Sequence, residues 1–130
     1  PFPYTSTDFG WFLTNLCVDA HKPVWVMDMG QGIIGTISHG SELGYWLASD
    51  YHGKGLMTEA AKAVCAHHFG QTDAALQSGY HKGNAPSAHV LAKLGFVDTH
   101  IDNDVITARN ETVDIQRMTL TKDAWRARHD

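Results

Sequence analysis

Apolar residues recur at helical spacing in several parts of the chain. Two short helices are predicted. One is "NAPSAHVLAKL", which Gly95 ends, and the other is "KDAWRARHD", which Thr121 can cap and Trp125 can anchor. The clearest i, i+3, i+4 repeat predicts a longer helix with one buried face. Its positions are Leu56, Met57, Ala60, Ala61, Val64, Cys65, His68 and Phe69.

A further helix is predicted near the N-terminus. Thr5 or Ser6 can cap it, and Asp8 suits the positive end of its dipole. The helix should run to about Ala20. The apolar stripe that supports it consists of Phe9, Phe12, Leu13, Leu16 and Cys17.

Runs of β-branched and aromatic residues predict six strands. "VWVMDM" and "IIGTISH" flank a turn near Gly30 to Gly32 and should form a hairpin, which "ELGYWLA" extends as a third antiparallel strand. "AALQSGY" follows the long helix, and "GFVDTH", a short strand, precedes "TVDIQRMTLT". The order of helices and strands predicts an α+β fold with one parallel junction.

Length and charge limit the classes of function. With 130 residues, of which 43% are apolar, the chain should form a single domain over residues 1–130. A net charge of −4 and the lack of a Lys/Arg-rich run argue against nucleic acid as a partner. The sequence shows no apolar run of membrane-spanning length and no signal peptide, so we expect a cytoplasmic protein.

Cysteine and histidine usage argues against a disulfide and against a metal. Cys17 and Cys65 are far apart and lie in apolar helical patterns, which favours buried free thiols in a reducing compartment. The nine histidines are scattered, without an HExxH motif or a companion Cys pair. We therefore expect no structural metal.

The segment Gly53-Lys54-Gly55 joins a predicted strand to the start of the long helix. A glycine-rich turn in this position directs backbone N–H groups at an anion, most often a phosphate. It is not a Walker loop, because no GxxxxGK is present, and Thr58 stands where a Rossmann turn needs its third glycine. Taken alone, a segment of this kind favours a plain turn over an anion site.

A second cluster changes this interpretation. In "NAPSAHVLAKLGF", Asn84 begins a helix after the next strand, and Ser87 follows within its first turn. The side-chain amide of Asn84 and the hydroxyl of Ser87 should lie beside the mouth of the glycine turn.

With both clusters, the chain from Ile33 to Phe96 resembles the GNAT superfamily of N-acetyltransferases, and in detail its RimJ/RimL-like branch, the ribosomal-protein alanine acetyltransferases. The family motif of Gln or Arg, two residues, Gly, one residue, then Gly or Ala is similar to the run from His52 to Met57. His52 and Met57 depart from that motif. The Asn-x-x-Ser/Ala helix that ends in Lys-x-Gly-Phe matches the run from Asn84 to Phe96.

The resemblance implies a mixed, mostly antiparallel sheet with splayed central strands, "ELGYWLA" and "AALQSGY", and acetyl-CoA between them as co-substrate. Pantetheine would bond to the backbone near Trp46 and Leu47. His52 could still donate to a phosphate if it is protonated or if its other nitrogen is free. Met57 could turn its side chain into the core. The pyrophosphate would meet the amides of Gly53, Lys54, Gly55, Leu56, Met57 and Thr58.

The chemistry implied is direct attack of a primary amine, from a peptide N-terminus or a small molecule, on the thioester. Glu42 is the predicted base, although a solvated strand-end carboxylate is an equal interpretation. The family's usual Tyr acid is replaced by Leu91, so Ser87 becomes the predicted acid, with the helix-start hydroxyl as its alternative. Asn84 would orient pantetheine or a water, and His81 is a further candidate to face the acceptor.

The same features are compatible with two other functions, and they also predict a homodimer. The departures from the motif are compatible with an acyl-CoA-binding module without turnover, and the glycines with an interaction domain that binds no cofactor. The family's first strand and helix have no counterpart here, which makes the chain look N-terminally truncated. We expect this to expose the edge of "VWVMDM" and to favour a homodimer.

Overall fold

The computed structural model describes residues 4–5, 10, 12–16, 24–30, 32–40, 42–106 and 110–129. They belong to two compact units, residues 1–73 and residues 74–130. Each unit has an antiparallel sheet and at least one helix. A single domain over the whole chain stays a prediction.

The first unit is built on a five-stranded sheet in which each strand pairs with its neighbour in the chain. Its core includes Leu13, Trp25, Met27 and Ile37, all of which are almost fully buried. A 3-10 turn (Ser49–Tyr51) and the long helix α1 (Leu56–Gln71) follow the sheet. The strands are β1 (Tyr4–Thr5), β2 (Phe12–Leu16), β3 (Val24–Asp28), β4 (Ile33–Ser38) and β5 (Gly44–Leu47).

The predicted hairpin at Gly30 to Gly32 is confirmed as the turn between β3 and β4. Asp28 Oδ1 accepts the N–H of Gly30 at 2.7 Å and that of Gly32 at 3.4 Å. An Asp side chain that bonds the backbone two residues ahead is a common way to stabilise a tight turn. The ladder also shifts its register between Met27 and Asp28.

The helix predicted near the N-terminus is wrong for residues 12–16, which form β2. This strand pairs with β3 from Phe12 opposite Asp28 to Leu16 opposite Val24, and Leu13 is fully buried. Backbone bonding to a neighbouring strand outweighed a short helical stripe, because Phe, Leu and Thr also suit a pleated surface. Phe9 and Cys17 lie outside the described residues.

The same pairing corrects the expectation that the edge of β3 is exposed. β3 lies between β2 and β4, so both of its edges are bonded within the chain. An edge strand invites association because its N–H and C=O groups lack partners. The structural reason that we gave for a homodimer therefore does not hold.

Helix α1 confirms the predicted stripe in full. Its bounds are Leu56 and Gln71, and its N-cap is Gly55. The small alanines at positions 60 and 61 are fully buried, as expected for close packing against the rest of the chain. The buried residues are Leu56, Met57, Ala60, Ala61, Val64, Cys65, His68 and Phe69.

The second unit has a three-stranded antiparallel sheet in the order β6-β8-β7. Gly95 ends α2 in the left-handed region, with φ 108°, and Thr121 Oγ1 accepts the N–H of Ala124 at 3.1 Å. Trp125 is buried, as predicted. The elements are β6 (Leu76–His81), α2 (Ala85–Leu94), β7 (Val97–Ile106), β8 (Glu111–Leu120) and α3 (Lys122–His129).

Strand β7 is longer than predicted. The sequence pattern limits it to "GFVDTH", whereas the strand continues to Ile106 and pairs with β8 over its whole length. Asn, Asp and His are poor strand formers locally. Their place in β7 is explained by pairing with the regular strand β8.

The α+β class is confirmed, with sheets that are antiparallel in every pairing of the described residues. Strands β5 and β6, between which we expected a parallel junction, belong to different sheets. No helix in the described ranges is long and apolar enough to cross a membrane.

Candidate functional site

The glycine turn after β5 has a backbone conformation that favours glycine. Gly53 and Gly55 have φ values of 75° and 79°, in the left-handed region that residues with a side chain rarely adopt. A Cβ atom built at either glycine would meet no atom within 4 Å. The backbone there is open to the approach of a ligand.

The first amides of α1 point out of this turn. Gly55 is the N-cap, and its missing side chain makes no cap hydrogen bond. The N–H groups of the next three residues, 56–58, therefore have no acceptor within the helix. The side chains of Leu56 and Met57 are buried, with exposures of 2% and 5%, so a ligand could contact these two residues only through their backbone. Main-chain donors in this arrangement, which we name the cradle, can hold an anion.

His52 does not direct Nε2 at the cradle. Its Nε2 lies 2.7 Å from the carbonyl oxygen of Leu47. A carbonyl only accepts, so Nε2 carries a proton and donates it to Leu47. We expected His52 to donate to a phosphate, and in this arrangement only its other ring nitrogen, Nδ1, could do so.

The ladder between β4 and β5 decides which backbone groups of β5 face outward. Ala48 donates its N–H to Ile34 at 2.8 Å, and Leu47 lies opposite Gly35. Because bonded and non-bonded pairs alternate in an antiparallel ladder, the N–H and C=O of Leu47 point away from β4. Those of Trp46 point toward Thr36. For a strand-like ligand along β5, the pairing favours Leu47 over Trp46.

Tyr51 and Lys54 lie beside the turn. The Lys54 ammonium is 6.0 Å from the centre of the Tyr51 ring, and the Lys54 side chain is exposed. Tyr51 also lines a cavity of about 360 Å³ at the end of the β3–β4 hairpin, together with Met29, Gly32, Ile33 and Ile34. The turn therefore has a cation and a cavity within its own unit.

Glu42, the predicted base, lies two residues before β5 and is exposed. A carboxylate near the start of this strand can contact solvent and an incoming amine. Its role stays a prediction.

In the second unit, Asn84 and Ser87 lie together as predicted. Asn84 Oδ1 accepts the N–H of Ser87 at 3.2 Å and caps α2. The cap leaves the amide nitrogen of Asn84 as the part that can contact a ligand. Leu91, which the resemblance compares with a Tyr acid, is fully buried. His81 Nε2 lies 3.7 Å from Asp104 Oδ2.

The structure thus gathers the predicted residues in two groups. Leu47 and residues 52–58 form one group in the first unit, and Asn84 and Ser87 form another in the second. That both groups share one crevice stays a prediction.

Sequence analysis missed a buried cluster of imidazoles around Trp25. Trp25 donates its Nε1–H to His39 Nδ1 at 3.1 Å, and the ring centres of His39 and His68 are 5.4 Å apart. The His67 ring meets Trp25 edge-on at 5.0 Å. His68 in the predicted stripe of α1 was the only local signal. The described residues contain no group of three metal-ligating side chains that could hold an ion.

Burial dominates the electrostatics of this cluster. It lowers the pKa of His39 to about 4, and the neighbouring His68 and His67 lower it further. Burial also lowers the pKa of His67. His39 is therefore neutral near pH 7.

Cys65 behaves as the expected inert thiol. It is a free cysteine in the buried face of α1, and burial raises its pKa to about 12. A thiol of this kind is not a nucleophile at neutral pH. This argues against an acetyl carrier at Cys65.

The family model described as "Acetyltransferase (GNAT) domain" matches residues 3–97. The match covers most of the chain and contains both β5 and the glycine turn. The chain belongs to the GNAT acetyltransferase family.

Solved structures agree with this family. The ribosomal-protein-S5-alanine acetyltransferase from Vibrio fischeri is 27% identical, with a TM-score of 0.72 over 81% of this chain and 64% of that chain. This likeness agrees with the predicted RimJ/RimL-like branch. The chain spans about two thirds of the length of that protein.

More distant structures show the fold alone. Mutant forms of the spermidine/spermine N-acetyltransferase SpeG from Vibrio cholerae share 18% identity and a TM-score of 0.73, covering 87% of this chain and 74% of that one. An IAA acetyltransferase from Bacillus cereus shares 16% identity and a TM-score of 0.67, covering 78% of each chain. None of the curated proteins matches the chain.

Proposed function

We propose that the chain binds acetyl-CoA and transfers its acetyl group to a primary amine. The observation that carries the proposal is the run of main-chain N–H groups that leaves the left-handed turn at Gly53 and Gly55 and begins α1. Membership of the GNAT family supports acetyl-CoA as the anion that this cradle takes. Acetyl-CoA supplies the activated thioester.

Two parts of the first unit fit the co-substrate. The outward edge of β5 suits the amides of pantetheine, which would extend the sheet beyond β5, and the Leu47 carbonyl on that edge also accepts the Nε2–H of His52. The amides of residues 53–58 suit the pyrophosphate, because consecutive main-chain donors at a helix start favour anions. Exposed Lys54 adds one positive charge beside them.

Acetyl transfer needs three further groups besides those that bind the co-substrate. Glu42 removes the proton of the incoming ammonium, directly or through a water. The N–H of Leu47 stabilises the negative charge that develops on the thioester oxygen. Ser87 returns a proton to the leaving thiolate, with the side-chain amide of Asn84 as the group that orients the thiol end.

The acceptor is a primary amine of a protein N-terminus or of a small molecule. Both classes occur among the similar structures, one named for alanine of ribosomal protein S5 and one for spermidine/spermine. A reduced, buried Cys65 suits a reducing compartment, which supports the cytoplasm as the location.

A second candidate is an acyl-CoA-binding module without turnover. Leu91 favours it. In many relatives the acid is a Tyr at this position, and a buried leucine side chain cannot give a proton to the thiolate. In this case the cradle would bind the ligand and no acetyl transfer would follow.

Isothermal titration of the full chain with acetyl-CoA, with ATP and NAD as controls, tests binding. Saturable binding of acetyl-CoA alone is expected. Acetyl transfer to an alanine peptide and to spermidine then separates the enzyme from the binding module. In Glu42→Gln we expect a rate at neutral pH lower by about a hundredfold with unchanged affinity, as for the loss of a general base.

Each outcome selects one alternative. Binding without transfer to either amine supports the module. Absence of binding overturns the proposed function. If Glu42→Gln keeps the pH–rate profile of the parent, the base is a water or His81 instead.

A further inference from the structure

Strand β7 lies at one edge of the sheet of the second unit. The order of that sheet is β6-β8-β7, so β7 pairs with β8 and, among the described residues, with no other strand. From His100 to Ile106 this pairing is regular, after a register shift between Asp98 and His100. An unpaired strand edge carries main-chain N–H and C=O groups that can bond a further strand.

The hydrogen bonds of β8 show which residues of β7 direct these groups outward. Lys82 donates its N–H to the carbonyl oxygen of Asp114 at 2.9 Å, so the main-chain groups of Asp114 face the β6 side. Asp114 lies opposite Asn103. Because bonded and non-bonded pairs alternate in an antiparallel ladder, the N–H and C=O of Asn103 point away from β8. The same alternation applies to Ile101 and Val105, two positions before and after it.

The side chains along this edge form two rows. Ile101 and Val105 lie on one face and are 50% and 59% exposed. Asp102 and Asp104 lie on the opposite face, since side chains alternate along a strand, and their side chains are 47% and 52% exposed. A strand added here would therefore meet apolar side chains on one face and carboxylates on the other.

The charge of β7 and β8 indicates the chemistry of the added strand. Asp102 Oδ2 has a partner within the chain, Arg117 Nε at 3.0 Å, and Asp104 Oδ2 lies 3.7 Å from His81 Nε2. Carboxylates nevertheless outnumber Lys and Arg in these two strands by five to one. The five are Asp98, Asp102, Asp104, Glu111 and Asp114. Lys or Arg on an added strand would offset this excess, because cross-strand pairs of opposite charge are stabilising.

A second copy of the chain fits this edge less well. Antiparallel pairing of two β7 strands about Asn103 would bond the outward groups and would place Ile101 opposite Val105. It would also place Asp102 opposite Asp104 twice, and like charges directly opposite each other are destabilising. Charges on an edge strand are one means by which proteins avoid the pairing of identical strands. The edge therefore favours a partner of opposite charge.

We propose that the outward edge of β7, from His100 to Ile106, binds an extended basic segment of another protein as an antiparallel strand. Lys or Arg side chains of that segment would lie opposite Asp102 and Asp104, and apolar side chains opposite Ile101 and Val105. Main-chain hydrogen bonds give the affinity, and the alternating side chains give the specificity. The site does not depend on the proposed function.

Fluorescence anisotropy of the full chain with a labelled seven-residue peptide tests the site. The probe, Thr-Val-Lys-Thr-Lys-Val-Thr, carries Lys and Val at the spacing that the two rows require. We expect saturable binding that weakens as salt is added, and none with Glu in place of both Lys. Methylation of the central Thr nitrogen, which would bond Asn103, should abolish binding. Methylation of a Lys nitrogen, which would point away from β7, should be tolerated.

Variants of the chain separate the main-chain bonds from the charges. Asn103→Pro removes an outward N–H without removing a bond to β8, and should weaken binding by about tenfold or more. Asp104→Asn should weaken it by about two- to fivefold, the size of one cross-strand ion pair. Asp123→Asn makes the same change of charge in α3 and should bind as the parent does. Circular dichroism checks that each variant is folded.

Three outcomes would overturn the proposal. The first is absence of binding by the parent, and the second is equal binding by the parent and Asn103→Pro, whatever the effect of salt. If Asn103→Pro does not fold, the two methylated peptides decide instead, and equal binding of both rejects strand addition. The third is a dimer of the parent in sedimentation that Asn103→Pro dissociates, which would assign the edge to a second copy.

Discussion

The two ends of α1 place histidines in opposite environments. Before its first turn, His52 is exposed and bonds a strand-end carbonyl. In its last turn, His68 is 6% exposed and lies against His39, which accepts a hydrogen bond from Trp25. The His52 ring is open to solvent at the first end, whereas burial lowers the pKa of His39 at the other end. The difference shows that burial, more than residue type, decides what a histidine contributes.

Trp25→Ala should have the largest effect, at the buried end. Trp25 is 1% exposed, and its loss would leave a cavity and remove the donor to His39. We expect the free energy of unfolding to fall by about 3–5 kcal/mol. Denaturant unfolding followed by circular dichroism measures it. Trp46→Ala, at a site 55% exposed, is the control and should change stability by less than about 1 kcal/mol. Equal losses would contradict the assigned burial.

Gly55→Val tests the open end of the helix. At φ 79° a β-branched residue strains the backbone, although a Cβ would meet no atom within 4 Å. We expect a loss of about 1–2 kcal/mol in stability. Acetyl-CoA binding should weaken by about tenfold, since the cradle needs close backbone approach. Gly55→Asn, which tolerates this conformation, should retain most of both. Unchanged affinity in Gly55→Val would remove the cradle from the site.

The pH dependence of stability sharpens the comparison further. The pKa of His39 is about 4 in the folded chain, against an ordinary value of 6.5. Between these values the unfolded chain binds a proton that the folded chain does not, so stability falls as pH drops from 6.5 to 4. The slope approaches about 1.4 kcal/mol per pH unit for one proton.

Urea unfolding across this pH range measures the slope. His39→Gln should flatten it, and the exposed His100→Gln should not. If His39→Gln keeps the slope of the parent, the acid sensitivity belongs to other groups, with His67 the next to test because burial also lowers its pKa.

Local patterns predicted the parts of the site that depend on neighbours in the chain. The stripe of α1, the glycine turn before it and the Asn84 cap all involve residues within a few positions of each other. Helical period, φ preference and capping act over that distance. For this reason the turn could be recognised without a structure.

Such patterns could not predict contacts between residues that are far apart in the chain. The apolar spacing around Leu13 fits a helix, yet pairing with β3 makes it a strand. The contact of Trp25 with His39 joins positions 14 apart, and its extension to His67 needs α1 to pack on the sheet. The bond between His52 and Leu47 depends on where the turn directs a side chain.

The sequence by itself determined the α+β class, the long helix with its buried face and the glycine turn that precedes it, because these follow from local periodicity and backbone preference. Only the tertiary structure decided that residues 12–16 are a strand, that three histidines gather around Trp25, and that the His52 ring bonds the Leu47 carbonyl. Strand pairing and burial depend on residues far apart in the chain, and their energies are not encoded in any short segment.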